Sequence, residues 1–331
     1  MRRRDFAIGL LLAGAPHSVP AQAQQAAKQH RIAIVIPAGS VARIDDTGSR
    51  FWQAFWKELR GLGDVEGQNL SVERYSGEGR PEGFANLARR AANRNPDVIV
   101  ASTEAIARAA RAANPSLPIV WIGGDPIQAG FATSFARPGG TVTGVTVFAG
   151  LEIWGKRLQM LKEAVPSASK VLFLTTRTGV ANEQIFQEAG RRLQISVIRT
   201  PLQESTPSEI QRTFAEIAQE KPDAIMVSDI GDLIPYRRLI VELAERSRLP
   251  AMYPWREYVE AGGLMAYAGD FDELGRRMAD DVHQILNGAK PGEIPIYQPT
   301  KFELIINLKA ARELGLTIPP TLLGTASEVI E

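Results

Sequence analysis

The sequence predicts an α/β protein with two similar lobes, each built on a doubly wound parallel sheet. Short apolar runs, typical of strands buried on both faces, alternate with amphipathic helices along most of the 331 residues. Two such sets of about four strand–helix units follow one another without a break in composition. Because strand–helix–strand connections are almost always right-handed, this alternation places parallel strands side by side in each half.

The first half begins with the apolar run Arg31–Ile36, which predicts a buried strand. Large apolar side chains then recur with a helical period from Phe51 to Leu59, which predicts an amphipathic helix. Thr103 precedes an alanine-rich segment, where its hydroxyl can cap a helix. The other predicted elements of this half are three strands, Leu70–Tyr75, Asp97–Ser102 and Pro118–Gly123, and the helix Pro81–Asn95.

The second half repeats the pattern after the stretch 118–148, which we interpret as the crossing from one lobe to the other. Gly144 lies in this crossing, and we expect it to absorb the backbone change when the lobes close. The predicted helices are Leu151–Val165, Val180–Arg192, Pro207–Glu220, Pro235–Ser247 and Phe271–Leu286. The predicted strands are Lys170–Thr175, Ile195–Thr200, Asp223–Ser228, Ala251–Tyr253 and Leu264–Tyr267.

Residues 1–23 have the pattern of a cleaved signal peptide. Arg2–Arg4 form the charged region, Phe6–Gly14 form a short apolar core, and Ala21–Ala23 fit an A-x-A cleavage site. The apolar core is too short to span a membrane. Arg3-Arg4-Asp5-Phe6 is similar to a twin-arginine signal without its full flanking pattern, so the Sec route and the twin-arginine route both stay open. We expect a soluble exported protein.

Composition narrows the classes of partner and chemistry. The formal net charge is +1, and loss of residues 1–23, which carry three arginines and one aspartate, would change it to −1. No basic stripe appears, so a nucleic-acid partner is not expected. The absence of cysteine excludes disulfides, thiol catalysis, zinc–thiolate sites and a lipid-modified cysteine. Without a lipid anchor, an exported protein needs a compartment that retains it, which favours the periplasm.

The familiar catalytic motifs are missing or misplaced. Beyond the leader the chain has two histidines, His30 and His283, which argues against a catalytic triad or an imidazole metal site. The segment Gly150–Lys156 matches the spacing of a phosphate-binding loop, but Arg157 stands where that loop needs Ser or Thr. We expect no cofactor and no metal, whereas chemistry based on carboxylates alone stays open.

Five loops at strand carboxyl ends are the candidate ligand site, because ligands of open α/β sheets bind there. Each precedes a helix start, whose free amides favour an anion such as a carboxylate. The alternative is that Ser40, Thr103 and Asp229 only cap helices. Three aromatic residues, Tyr253, Trp255 and Tyr267, lie near the second set of strand ends and could stack on a ligand. The loops are 38–40, 102–104, 124–126, 176–182 and 229–231.

Several longer motifs resemble the ABC transporter substrate-binding family that includes the tryptophan/tyrosine-type binding proteins, and the resemblance covers nearly the whole chain. The most specific stretch is Gln298–Lys309, which reads QPTKFELIINLK. The other matching motifs are the leader 2–6 and residues 124–126, 136–140, 142–145, 261–267, 285–291, 314–320 and 328–330.

This resemblance implies a type I periplasmic binding protein fold, with two Rossmann-like lobes joined by a three-crossing hinge. The crossings are expected near 144–147, 266–269 and 293–299. The first lobe would comprise 31–144 plus 268–292, and the second 147–265 plus 299–331.

The family's ligand loops carry over onto Ser40, Thr103, Asp125, Thr146, Asn182 and Asp229. The chain departs from the family pattern at two positions: Glu104 replaces a common proline, and Ile230 replaces the proline of an Asp-Pro pair. A carboxylate at position 104 would bind a cationic group or face solvent, and this weakens the transfer of an aromatic amino acid as the ligand. Tyr253 or Tyr267 is expected to provide an aromatic lid.

The resemblance implies a periplasmic solute-binding protein, not an enzyme, that closes on an amino acid or related small carboxylate and delivers it to an ABC permease in the inner membrane. We expect a monomer. One alternative is a periplasmic sensor of the same fold that signals to a membrane receptor. A less favoured alternative is a periplasmic hydrolase, which needs a close-set acid pair in the cleft.

Overall fold

The computed structural model describes residues 29–37, 39–80, 83–147, 150, 152–176 and 183–331. These residues form two separate sheets, one from each half of the chain. The predicted signal peptide lies outside the described residues. Within the described ranges, no helix is both long enough and apolar enough to cross a lipid bilayer.

The first sheet is entirely parallel. Its apolar strands are covered on both faces, because core side chains pack on either side of it. The strands are β1 (His30–Ile36), β2 (Leu70–Ser76), β3 (Val98–Ala101), β4 (Ile119–Gly123) and β5 (Val142–Thr146). The helices of this half are α1 (Arg50–Gly61), α2 (Phe84–Ala92) and α3 (Glu104–Ala113). The strand order across the sheet is β2-β1-β3-β4-β5.

The second half forms a seven-stranded sheet, again with an apolar core on each face. Its strands are β6 (Lys170–Thr176), β7 (Ser196–Leu202), β8 (Ala224–Val227), β9 (Ala251–Tyr253), β10 (Met265–Gly269), β11 (Phe302–Asn307) and β12 (Glu328–Ile330). Its helices are α4 (Glu152–Ala164), α5 (Glu183–Arg192), α6 (Pro207–Glu220), α7 (Arg237–Arg246), α8 (Arg256–Glu260), α9 (Phe271–Leu286), α10 (Leu308–Glu313) and α11 (Pro320–Thr325). The order is β12-β11-β10-β9-β8-β6-β7.

The second sheet departs from a purely parallel arrangement at one pair of strands. β11 runs antiparallel to β10, with Met265 opposite Ile306, and β12 then pairs parallel to β11. The chain reaches β11 after returning from the first lobe, so no helix on the sheet face connects it to β10. Without such a crossover, an antiparallel pairing is allowed.

Helix α9 belongs to the first lobe although it follows a strand of the second. It packs along α1, and its apolar side chains Leu274, Met278 and Val282 join the core of the first sheet. The two helices approach closely at Gly275, where a Cβ would lie 2.4 Å from the carbonyl oxygen of Phe51. The chain therefore crosses between the lobes three times: between β5 and α4, between β10 and α9, and between α9 and β11.

Two of the crossings lie side by side. The amide of Tyr297 donates to the carbonyl of Gly144, and the amide of Thr146 donates to the carbonyl of Tyr297. Gly144 has a φ of 134°, and a Cβ there would lie 2.0 Å from the Trp121 carbonyl oxygen. The close approach of β4 thus explains why a residue without a Cβ occupies position 144. Its part in lobe closure stays a prediction.

Candidate functional site

The strand orders locate a crevice in each lobe. In an open α/β sheet, ligands bind outside the carboxyl ends of the strands where the strand order reverses. In the first sheet this point lies between β1 and β3, and in the second it lies between β6 and β8. The loops that follow these four strands include Ser40, Thr103 and Asp229, which the sequence predicts as ligand contacts. Asn182, a predicted contact after β6, lies outside the described residues.

The two crevices face each other. The carboxyl of Asp232, in the 3-10 turn Gly231–Tyr236 after β8, interacts with the carboxyl of Glu104 at the start of α3. Burial and the negative charge of Glu104 together raise the pKa of Asp232. Nearby, a Cβ built on Gly79 would lie 3.8 Å from the side chain of Pro235. Residues of both lobes thus form the walls of one cleft.

Ser40 and Thr103 cap the turns that follow β1 and β3. Ser40 Oγ accepts a hydrogen bond of 3.2 Å from the amide of Ala42, and Thr103 Oγ1 accepts one of 3.3 Å from the amide of Ile106. Ser40 is exposed, whereas Thr103 is buried. The capping alternative raised for these two residues is therefore observed. The helix start at Thr103 still directs amides and a positive dipole end at the cleft.

Glu104 is exposed and forms an ion pair of 2.7 Å with Arg108, one helical turn further along α3. The Arg108 guanidinium also donates to the carbonyl of Ala129 and lies over the ring of Phe131. The ion pair with Arg108 partly neutralises the charge of Glu104 on the helix surface. Across the cleft, the negative charge of Glu104 contributes to the raised pKa of Asp232.

Asp125 and Thr146 stabilise the rim of the first lobe. Asp125 Oδ1 accepts hydrogen bonds from the amides of Ile127 at 2.8 Å and Gln128 at 3.1 Å. Thr146, fully buried at the end of β5, donates from Oγ1 to the carbonyl of Gly124 at 2.6 Å. These bonds fix the loop after β4 against the first crossing between the lobes.

Asp229 is the counter-ion of a buried arginine. Its Oδ2 lies 3.4 Å from Nη1 of Arg157, whose side chain is only 2% exposed. Burial raises the pKa of Asp229, while the positive charge of Arg157 opposes that rise. The Nε of Arg157 also donates to the carbonyl of Tyr267 at 2.8 Å. The structure thus joins two of the predicted site residues, Asp229 and Tyr267, through Arg157.

The two predicted lid residues differ in their surroundings. Tyr267 is partly exposed on β10, and its ring stacks on Phe302 with 5.6 Å between centroids. The expectation that Tyr253 covers a ligand is wrong, because its side chain is 1% exposed and stacks on Tyr258 inside the core. Trp255, another aromatic candidate, is buried in the same core.

The ring of Tyr253 points toward the opposite edge of the sheet. There it lines a cavity of about 230 Å³ beside Arg248, Gly263 and Glu313. Gly263 precedes β10 and Arg248 precedes β9, so this cavity lies at the amino-terminal ends of the strands. It is therefore separate from the cleft.

Three residues of the cleft region were not among the predicted contacts. Arg157 lies on the apolar face of α4, three residues after Trp154 and four before Leu161. A charged residue at such a core-facing position is a sign, readable from the sequence, that its side chain is buried and paired. Asp232 carries no comparable signal. Ser228, directly after β8, is 2% exposed, and its Oγ has no hydrogen-bond partner among the described residues.

The chemistry of this cleft suits binding of a small polar molecule. Helix-start amides from the first lobe can donate hydrogen bonds to a carboxylate, and the carboxylates of both lobes can pair with a cationic group. Among the residues that the structure describes, no three histidine or acidic side chains come together in a way that could hold a metal ion.

Comparison with known proteins agrees with this architecture. The family model described as ABC transporter substrate binding protein matches residues 46–330. A curated relative, the tyrosine-binding protein of Clostridioides difficile (strain R20291), is 23% identical over 269 residues, which cover 80% of this chain and 76% of that protein.

Solved structures share the fold. The structure of an ABC domain in complex with L-Trp from Streptococcus pneumonia has a TM-score of 0.81 at 23% identity, covering 92% of this chain and all of that one. The ligand-free, open structure of a substrate-binding protein with adhesive properties from Clostridium difficile has a TM-score of 0.66 at 20% identity, covering 91% and 99%. With a family match that spans most of its length and a fold shared with these structures, the chain belongs to the family of ABC transporter substrate-binding proteins.

Proposed function

We propose that this protein is the periplasmic solute-binding component of an ABC importer and that it closes on an amino acid or a related small carboxylate between its two lobes. The observation that carries the proposal is the cleft: the switch points of two doubly wound sheets face each other, and carboxyls from both lobes interact across it. A ligand that touches both walls stabilises the closed arrangement by its differential affinity for that state.

The residues at the cleft support a ligand with two opposite charges. Its carboxylate would meet the helix-start amides near Ser40 and Thr103. Its cationic group would meet Asp229 or Asp125, with Glu104 and Asp232 adding negative charge at the opening. Tyr267 would cover one side, Thr146 would fix the rim, and Asn182 would be a further ligand contact. The names of the relatives, which mention tyrosine and L-Trp, make L-tyrosine and L-tryptophan the first probes to test.

The organisation proposed around this cleft follows the three crossings. The first lobe comprises 31–144 plus 268–292, and the second comprises 147–265 plus 299–331. Residues 1–23 act as the cleaved export signal, by the Sec or the twin-arginine route. The mature protein works as a monomer that presents the closed form to an inner-membrane permease. It has no catalytic activity.

The sensor alternative shares this cleft and differs only in the receiving membrane protein. Cross-linking of the ligand-loaded protein to a permease, and not to a receptor, would separate the two. The hydrolase alternative requires two acids placed for catalysis. Glu104 and Asp232 do interact, but Glu104 is engaged by Arg108 at 2.7 Å. Recovery of every bound molecule chemically unchanged would exclude hydrolysis.

The proposal is tested by thermal unfolding of the mature protein with L-tyrosine, L-tryptophan, the remaining amino acids, aromatic acids and small carboxylates. A ligand present at 100 times its Kd should add about 2.7 kcal/mol to the free energy of unfolding. One or a few compounds of the panel should therefore raise Tm clearly. A panel without any response would contradict the proposed class of ligand.

The role of Asp229 is tested by the variant Asp229→Asn, which removes the charge and keeps the shape of the side chain. Loss of a charge-assisted contact typically costs about 1.5–3 kcal/mol, so the Kd measured by calorimetry should rise at least about tenfold. The control is Tyr253→Phe, which changes a core residue away from the cleft and should leave the Kd unaltered. An unchanged affinity in Asp229→Asn would remove Asp229 from the site.

A further inference from the structure

Arg157 is a buried guanidinium to which the proposed function assigns no role. It lies in the second turn of α4 with 2% of its side chain exposed. Burial lowers the pKa of Arg157, and the carboxylate of Asp229 opposes that effect. A buried cation is retained in a fold only when hydrogen bonds and an opposite charge compensate for lost hydration. Its contacts therefore indicate what it does.

The guanidinium connects three segments of the second lobe. Nε donates to the carbonyl of Tyr267 on β10 at 2.8 Å, and Nη2 donates to the carbonyl of Pro254 after β9 at 3.3 Å. Nη1 donates to Oδ2 of Asp229 after β8 at 3.4 Å. The flat face of the guanidinium lies over the ring of Trp154, 5.0 Å from its centroid. One side chain thus holds the carboxyl ends of three adjacent strands.

The segments that Arg157 connects lie at the switch point of the second sheet and beside a crossing between the lobes. Asp229 belongs to the loop at the switch point of the second sheet. Tyr267 lies two residues before Gly269, where β10 ends and the chain crosses toward α9. Among the described residues, Asp229 is the one carboxylate within 4.0 Å of Arg157. The Asp229 carboxylate is therefore connected through the guanidinium to the strand that leads into the second crossing.

We propose that Arg157 is a positioning residue, which holds the Asp229 carboxylate at the cleft and ties its loop to the strand entering the second crossing. The inference rests on the proposed function, because that function assigns Asp229 a contact with the ligand. Arg157 itself is too deeply buried to touch that ligand. A lysine at this position would keep the charge, but its single ammonium lacks the planar set of donors that reaches three separate acceptors.

The first experiment needs no ligand. Carboxyl carbons of aspartate are labelled, and the titration of Asp229 is followed by NMR in the wild type, Arg157→Lys and Arg157→Met. Asp229 is identified by the signal missing from Asp229→Asn. Arg157 is the charged side chain that affects the pKa of Asp229, and the phenol of Tyr267 affects the pKa of Arg157. Removing the guanidinium should move the titration midpoint of Asp229 upward by about 1–3 pH units. Arg157→Lys should stay closer to the wild type, and an unmoved midpoint in Arg157→Met would overturn the proposal.

The second experiment uses calorimetry with L-tyrosine and L-tryptophan as probes over the same pH range. In Arg157→Met, affinity should fall at least about tenfold as pH decreases through the new midpoint, because Asp229 becomes neutral. In the wild type, affinity should not change over that interval. Arg212→Met, which removes an arginine on the surface of α6, is the matched control and should behave as the wild type. A pH-independent loss of affinity in Arg157→Met would reduce Arg157 to a structural role.

A double-mutant cycle covers the case in which Arg157→Met folds poorly. Asp229→Asn leaves the guanidinium buried without its counter-ion, whereas Arg157→Met combined with Asp229→Asn removes both charges. The combined variant should unfold at a higher temperature than additivity of the two single variants predicts. Strict additivity would contradict the proposal. If the wild type binds neither probe, calorimetry uses the compound of the thermal-unfolding panel that raises Tm most. If no compound of the panel raises Tm, the proposed ligand class fails, while the titration and the cycle still decide the role of Arg157.

Discussion

Asp281 carries an ionisable group into the interior of the first lobe. Its side chain is 5% exposed, and its Oδ2 has no hydrogen-bond partner among the described residues. Burial raises the pKa of Asp281 well above its usual value, Asp280 adds to this rise, and Arg277 opposes it. The carboxyl therefore holds its proton more tightly in the folded chain than in the unfolded chain.

This difference predicts how stability depends on pH. Above the usual aspartate pKa near 3.9, the unfolded chain loses this proton while the folded chain keeps it, so stability falls as pH rises toward the folded pKa. Asp281→Asn removes that dependence and should raise Tm over the wild type more at about pH 8 than at about pH 4. The exposed Asp46→Asn is the control. A gain that does not grow with pH would contradict the assignment.

For single residues, the sequence predicts roles that depend on neighbours in the chain better than pairings between distant residues. The cap at Thr103 follows from its place before an alanine-rich segment, and the structure confirms it. The pairing of Asp229 with Arg157 joins residues 72 positions apart, and it depends on how α4 lies against the second sheet. The inward direction of the Tyr253 ring likewise depends on the tertiary position of Gly263.

Two helices are predicted with the bounds that the structure has, whereas the predicted helix Pro235–Ser247 is observed as Arg237–Arg246. Pro207–Glu220 and Phe271–Leu286 agree at both ends, because a proline or an aspartate cap marks the start and polar residues or Asn-Gly mark the end. No strand is predicted at β11, although its residues lie in the family motif Gln298–Lys309. Its antiparallel pairing depends on the chain's return from the first lobe, which no local signal encodes.

The close packing of α1 against α9 predicts that a larger side chain at position 275 destabilises the fold. Gly275→Ala places a Cβ 2.4 Å from the carbonyl oxygen of Phe51, so the helices must separate. We expect a loss of about 1–3 kcal/mol in the free energy of unfolding, despite the better helix propensity of alanine. Gly61→Ala, at the end of α1 with nothing within 4 Å of its Cβ, should be neutral or stabilising by at most about 1 kcal/mol. Equal effects of both substitutions in denaturant unfolding would contradict this packing.

For the molecule as a whole, the family resemblance predicts more of the architecture than the hydrophobic periodicity does. Alternating strands and helices predict two α/β lobes, but they do not indicate that α9 returns to the first lobe. The resemblance implied three crossings, and the structure has them. Hydrogen bonds between Gly144, Thr146 and Tyr297 keep two of the crossings together. The rotation of the lobes about these crossings is what a ligand in the cleft would control.

The central claim is that a small molecule binds between the lobes and closes them. Small-angle X-ray scattering of the mature protein tests it, without a ligand and with a saturating concentration of the compound that raises Tm most. The radius of gyration should decrease with that compound, and for Asp229→Asn the same decrease should need at least about ten times more of it. A compound that binds the wild type tightly while the scattering curve stays the same would contradict it.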